Sequence, residues 1–377
     1  MSNPNRQNRR PIKRADAERY MFTMLVSFAG SVILTRAFLE LTGYPQIATG
    51  VLHIAHVLWG GLLLFAAALL PVIFANRWVY TVSALLGGAG VGLFIDEVGK
   101  FITANNDYFY PFAAPIIYAV FLITVLLYLR VRHQHEGDDR EQLYHVLDGL
   151  MEVLDHDLDP NERERVEARL QSVIETTDQP NLRALSRELL EFVRSEGLQV
   201  VPARSRFYEP WLRRLSEVER RWFQRRTMRL ALATALLVTG GVAFADLTVT
   251  LIAFFSPDRL QDFLRDLIIS QPLVSGAASL NWAIVRLVLE GLVGALVTLS
   301  GVLMLVGSDN RGTDLGRFSL LISLTTINLI TLYFAQFTAL VSTIYQFILL
   351  LALIRYRSRF IRVGETEAET ALRRSLE

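Results

Sequence analysis

Long apolar runs separated by short polar breaks dominate the chain, and its charges are confined to a few zones between them. Runs of about 20 residues, the length needed to cross ~30 Å of hydrocarbon, lie at Tyr20 to Leu41, Val51 to Phe74, Trp78 to Phe101 and Pro111 to Leu129. A second set lies at Leu230 to Phe255, Asn281 to Val306, Gly316 to Tyr333 and Gln336 to Ile354. The last two form one nearly unbroken stretch, with a turn expected near Tyr333 to Phe337. The pattern predicts an all-α polytopic membrane protein of about eight transmembrane helices, arranged as two four-helix halves with a helical insert between them. The corresponding segments are a basic tail (1–19), a first half (20–131), the insert (132–226), a second half (227–356) and a C-terminal tail (357–377).

Inside the insert the period changes. Leu143, Val146, Leu147, Leu150, Val153 and Leu154 form one amphipathic stripe. A second helix is expected at Asp159-Pro160, a capping residue followed by proline at the first helical position, and a third from Asn181 to Ser195, closed by Gly197. The insert is read as a regulatory or self-associating module, which leaves a homo-oligomer through it open. The segment from Pro210 leads into the fifth span, and its arginines and tryptophans between Arg213 and Arg229 suit either a positive-inside anchor or anionic lipid headgroups.

Lys and Arg in the short flanks set the orientation. Arg6 to Arg19, Arg77, Arg130 with Arg132, Arg220 to Arg229, Arg311 with Arg317 and Arg355 to Arg362 fall on one side. Both termini and the insert are therefore expected in the cytoplasm, the chain being multi-pass in the inner membrane. Of the opposite loops, Ser256 to Leu280 carries Leu260, Phe263, Leu264, Leu267 and Ile268 at helical spacing, as for a helix lying on the outer interface. The first apolar run is too long for a signal-peptide core and is read as a retained helix. Between the halves, FAGSVILTR (Phe28 to Arg36) sits over VTGGVAFAD (Val238 to Asp246), and Ile117 to Arg132 over Ile344 to Arg359. A repeat with these polarities would be parallel; shared hydropathy is the competing explanation.

Of 377 residues 52% are hydrophobic and 20% charged, and the net charge of +1 gives no reason to expect a nucleic-acid partner. The chain has no cysteine, which removes disulfides, thiolate metal sites and a cysteine nucleophile. No phosphate loop, dinucleotide fingerprint or zincin motif occurs.

Ionisable residues inside the spans carry the functional expectation, since each costs roughly 2.5 to 3.5 kcal/mol to insert. At 1.5 Å per residue from the basic side, Arg36 lies ~22 Å up, Asp96 ~28 Å and Asp246 ~24 Å. His53, His56, Arg286 and Glu290 lie in the first turns of helices descending from the other side. Gly88, Gly92 and Asp96 recur every four residues, so that face is expected to pack closely on another helix. Ion pairs at i,i+4 are expected for Arg36 with Glu40, Asp96 with Lys100 and Arg286 with Glu290; as neutral pairs they would only set tilt and depth. His53 and His56, one helical turn apart, form an incomplete site for zinc or another divalent ion, with Asp96 or Glu97 able to add a ligand. Around this cluster Glu40, Asp96, Glu97, Asp107, Asp246 and Glu290 outnumber Arg36, Lys100 and Arg286, which suits cations or protons from outside. The loop Thr103 to Pro111 reads first as part of the interfacial belt, through Tyr108, Phe109 and Tyr110, with Asn105, Asn106 and Asp107 as an alternative lining of the pocket mouth. Deeper in the spans Thr325, Thr326 and Asn328 are the main polar groups.

The expected function is a transporter or channel for a small cation or cationic solute, coupled to protons. The alternatives are a membrane-embedded enzyme acting on a lipid or lipid-linked substrate at the outer leaflet, with a metal if the histidines bind one, and a non-catalytic sensor or scaffold.

Overall fold

The computed structural model describes residues 11–43, 48–49, 52–53, 55–108, 110–132, 138–155, 158–195, 201, 224–255 and 277–360. The described residues form helices apart from a minimal antiparallel hairpin and the connecting turns. Among the described residues seven helices are long and apolar enough to cross a membrane, and an eighth apolar helix, Val57–Ile73, is shorter. The chain is thus a polytopic helical membrane protein. Large apolar side chains stay exposed on the helix faces, among them Leu34, Phe65, Val72 and Leu126. In water such faces would have to be covered, but against lipid they are the ordinary outer surface.

The chain divides into two compact units, one comprising residues 1–102 with 120–207, the other 103–119 with 208–377. The first contains α1 (Ala17–Thr42), the hairpin β1 (Ala48–Thr49) and β2 (Leu52–His53), α2 (Val57–Ile73), α3 (Trp78–Asp96) and α4 (Val98–Ile102). It also takes most of α5 (Ala113–Arg132) and the insert helices α6 (Asp139–Leu154), α7 (Pro160–Thr176) and α8 (Pro180–Arg194). Helix α3 lies against both α1 and α2. The glycine stripe makes this possible: a β-carbon at Gly88 would collide with the Met24 carbonyl, and one at Gly92 with the Ser31 hydroxyl and the Phe28 carbonyl. In α2, Pro71 has no N–H for the Ala67 carbonyl, and the Ser83 hydroxyl of α3 donates to that oxygen at 2.6 Å.

Two predicted spans change shape. The second begins as a helix at Val57 rather than Val51, because Ala48 pairs with His53 and Thr49 with Leu52 in the hairpin. The third is not continuous to Phe101, since the backbone leaves the helix at Glu97 (φ −93°, ψ 11°) before α4.

At the other end of this unit the insert is fastened to the membrane helices by charge. Asp148, Glu152 and Asp155 line one side of α6 and its end. Arg14 donates to Asp148 at 3.3 Å, Arg77 to Glu152 at 2.6 Å and Asn76 to Asp155 at 2.9 Å. Arg77 also bonds Asp16. Burial disfavours its charge, yet Asp16, Glu152 and Asp148 outweigh that and hold the guanidinium above its ordinary value. The predicted start at Asp159 is a full capping box with Glu162, and α6 to α8 bury Leu143, Val146, Val166, Leu170, Val173 and Val193 together. Leu147 and Leu154 of the predicted stripe are exposed.

The second unit holds α9 (Arg225–Phe254), α10 (Ala277–Leu305), α11 (Asp309–Ile322), a π-helical turn at Ser323–Ile327, α12 (Asn328–Ala335) and α13 (Leu340–Phe360). Helices α9 and α10 meet backbone to backbone, since a β-carbon at Gly240 would lie 2.5 Å from the Gly294 carbonyl. The break expected near Tyr333 to Phe337 is a 3-10 turn, Gln336–Ala339, entered with Gln336 at φ 47°. The π turn disturbs the helical hydrogen bonding midway along the span, and polar side chains converge on it. Tyr118 donates to the Leu324 carbonyl at 2.7 Å, Asn328 donates to Thr343 Oγ1 and Gln346 Oε1 at 3.1 Å each, and Ser323 donates to Gln346 at 3.0 Å.

Candidate functional site

Five of the predicted site residues meet in the first unit, at the end opposite the insert. Arg36 projects from α1 with its side chain 7% exposed, and its Nε donates to Asp96 Oδ1 at 2.6 Å. Its Nη2 donates to the Asp96 backbone carbonyl at 3.0 Å, so one guanidinium neutralises the carboxylate and caps the last turn of α3. The second Asp96 oxygen lies 3.1 Å from His56 Nε2. The other imidazole nitrogen, Nδ1, lies 3.3 Å from Glu97 Oε1. Glu97 also accepts from Lys100 Nζ at 2.6 Å and from the Val57 backbone N–H at 3.3 Å. That last bond supplies an acceptor to the N-terminus of α2, whose N-cap, His56, makes no side-chain cap of its own.

The break after Asp96 explains this convergence. In an unbroken helix successive side chains are turned by about 100°, so Asp96 and Glu97 would diverge. With Glu97 outside the helix, both carboxylates face one imidazole. Asp96 and Glu97 are fully buried, and His56 and Lys100 are partly open.

The ion pairs are redistributed from those the spacing predicted. Arg36 bonds across to Asp96 while Glu40 is exposed at the end of α1, and Lys100 bonds Glu97 at i,i+3 because the helix is interrupted there. The charge balance of this group is even, two carboxylates against two permanent cations with the imidazole between them, rather than acidic. His53 and His56 do not share a helix turn: His53 belongs to β2 and His56 precedes α2. Among the described residues no three His, Asp or Glu side chains are grouped to hold a metal ion.

Asp246, Arg286 and Glu290 belong to the second unit. Arg286 Nε lies 3.4 Å from Glu290 Oε2, the spacing expected, and Gly291 seats against Leu247, which sets Glu290 and Asp246 at one level of the α9–α10 pair. Asp107 also belongs to the second unit, and its N–H bonds Thr103 Oγ1 at 2.7 Å. The amphipathic stretch from Leu260 to Ile268 and the arginines from Arg213 to Arg221 lie outside the described residues.

A further cluster in the second unit carries no signal in the sequence pattern. Asp309, 5% exposed, accepts from Arg225 at 3.0 Å and from the Tyr356 hydroxyl at 2.8 Å, with Arg229 3.8 Å away. Its sequence setting, SDNRGTD, has the composition of a solvated turn, and its partners come from α9 and α13, remote in sequence.

No protein-family model, curated protein or solved structure matches the chain.

Proposed function

We propose that the protein is a proton-coupled transporter or channel for a small cation, and that Asp96, His56 and Glu97 hold the proton. The observation that carries this reading is the imidazole with a carboxylate oxygen at each ring nitrogen. A neutral imidazole has one N–H and one lone pair. Facing two carboxylates, its lone pair would oppose a negative oxygen unless a further proton sits on the ring or on a carboxyl group. The trio is therefore suited to share a further proton and to pass it between the last carboxylate of α3 and the one in the break that follows. The interrupted helix at Glu97 and the π turn at Ser323 also suit a transport protein, since irregular backbone at membrane depth is tolerated where it lines a working site.

In this reading the insert and both termini are cytoplasmic, following the positive flanks, and the trio faces the opposite side. Zinc at His53 and His56 is not needed for this mechanism.

The test uses proteoliposomes carrying an internal pH indicator and an imposed cation gradient. Wild-type protein is expected to move protons with the cation, and His56→Gln, or Asp96→Asn with Glu97→Gln, to return the vesicles to the tightness of protein-free ones while eluting as folded protein. Vesicles that stay tight with wild-type protein, or variants that conduct as wild type does, would overturn the proposal. The lack of cysteine makes sidedness easy to check: Asn105→Cys should react with an impermeant thiol reagent from outside the cell, and Glu164→Cys only after permeabilisation.

A further inference from the structure

At the opposite end of the first unit, the strap before α1, the last turn of α5 and the insert helices α6 and α7 line an open cleft of about 910 Å³. Its wall carries five permanent cations, Lys13, Arg14, Arg130, Arg132 and Arg169, against two carboxylates, Glu18 and Glu141. Part of the charge is matched locally, Arg132 lying 3.2 Å from Glu18 and Arg14 3.3 Å from Asp148.

Arg169 is matched differently. Its guanidinium meets two neutral acceptors, His145 Nδ1 and, at 3.5 Å, Gln142 Oε1. Among the described residues it makes no ion pair with a carboxylate. Burial, reinforced by repulsion from Arg165, lowers its proton affinity below the ordinary arginine value. Accepting at Nδ1 leaves His145 to donate from Nε2 to the Lys13 carbonyl at 2.9 Å. The imidazole is thus a neutral spacer that aims Arg169 from one wall and fixes the Lys13 strap on the other. Arginine forks recognise the paired oxygens of phosphate bidentately, and a phosphate carries up to about two negative charges where a carboxylate carries one. The volume is that of a small-molecule pocket rather than an ion site.

We propose that this cleft binds a phosphate-bearing anion, with Arg169, Lys13 and Arg130 as its principal contacts. Leu129 and Val131 on the same wall end a candidate membrane span, so the phosphate is presented at headgroup level, either on a lipid or on a soluble phosphate compound. Occupancy would draw the strap, the end of α5 and the insert together. This proposal is independent of the proton site.

The full chain in phosphatidylcholine nanodiscs is titrated with dioctanoyl phosphatidylglycerol in one arm and inorganic pyrophosphate in the other, with the thermal unfolding midpoint as readout. At least one probe is expected to raise the midpoint. A response to the lipid alone assigns a headgroup, and a response to pyrophosphate assigns a free phosphate as sufficient. Arg169→Gln with Lys13→Gln should weaken binding about tenfold or more, and Arg130→Gln, an exposed position that leaves the fold unstrained, about threefold. Arg187→Gln, on α8 away from the cleft, should bind as wild type. The proposal is overturned if neither probe shifts the wild-type midpoint, if Arg130→Gln and the double variant both bind as wild type, or if Arg187→Gln loses as much as they do.

Discussion

Among the described residues two aspartates are buried, one in each unit, and their surroundings differ in kind. Asp309 opens α11, where unpaired N–H groups and the helix dipole favour a negative charge, and its donors are arginines and a tyrosine that keep their protons. Asp96 closes α3, where the dipole opposes a negative charge, and it relies on the buried Arg36 and on an imidazole shared with a second carboxylate. Asp309 is thus a fastener joining α9, α11 and α13. Asp96 sits where a carboxylate is held only through partners, one of which can gain or lose a proton. A charge placed against the local field and tied to a titratable neighbour suits exchange, whereas one placed with the field suits permanence.

Removing each carboxylate tests the contrast most directly. Asp96→Ala removes the carboxylate from a guanidinium that is 7% exposed, and the expected loss of stability is about 3–5 kcal/mol. Asp309→Ala leaves Arg225, 60% exposed, free to rehydrate, so the expected loss is smaller, about 1–3 kcal/mol. Chemical unfolding in detergent micelles compares the two; equal losses would remove the distinction. Gly92→Ala comes next. Its β-carbon would push α1 from α3 one turn before Asp96, at an expected cost of about 1–3 kcal/mol. The separation should also admit water to the Arg36 to Asp96 pair, seen as faster exchange of the Asp96 and Glu97 amides. Gly61→Ala, with nothing near its β-carbon, should do neither.

The helices, the capping box and the glycine stripe could be read from local pattern because each depends on residues close in sequence. The stripe at Gly88 and Gly92 correctly predicted a tightly packed face ending at Asp96. Arg286 with Glu290 was legible for the same reason, since an unbroken helix fixes the spacing. What failed was partner choice at breaks. Nothing in FIDEVGKF shows that the helix stops at Glu97, so helical spacing alone points Lys100 to Asp96 and Arg36 to Glu40. The hairpin that takes His53 out of α2 costs only two residue pairs, too few to alter hydropathy. Asp309 carries no such signal because its partners come from α9 and α13, remote in sequence.

The smallest expected effect sharpens the comparison furthest. Tyr356→Phe removes one hydroxyl donor from Asp309 and keeps the ring against Phe360. Arg225 still bonds the same oxygen and Arg229 stays close to the other, so the carboxylate remains neutralised. The loss should be about 0.5–1.5 kcal/mol, that of a single buried hydrogen bond, and the proton flux proposed for the first unit should be unchanged. His56→Gln also removes one hydrogen-bonding ring from a buried aspartate and leaves its arginine in place, yet it should abolish that flux. If Tyr356→Phe stopped proton movement as completely as His56→Gln, the two aspartates would be parts of one working path, and the division into fastener and proton holder would be wrong.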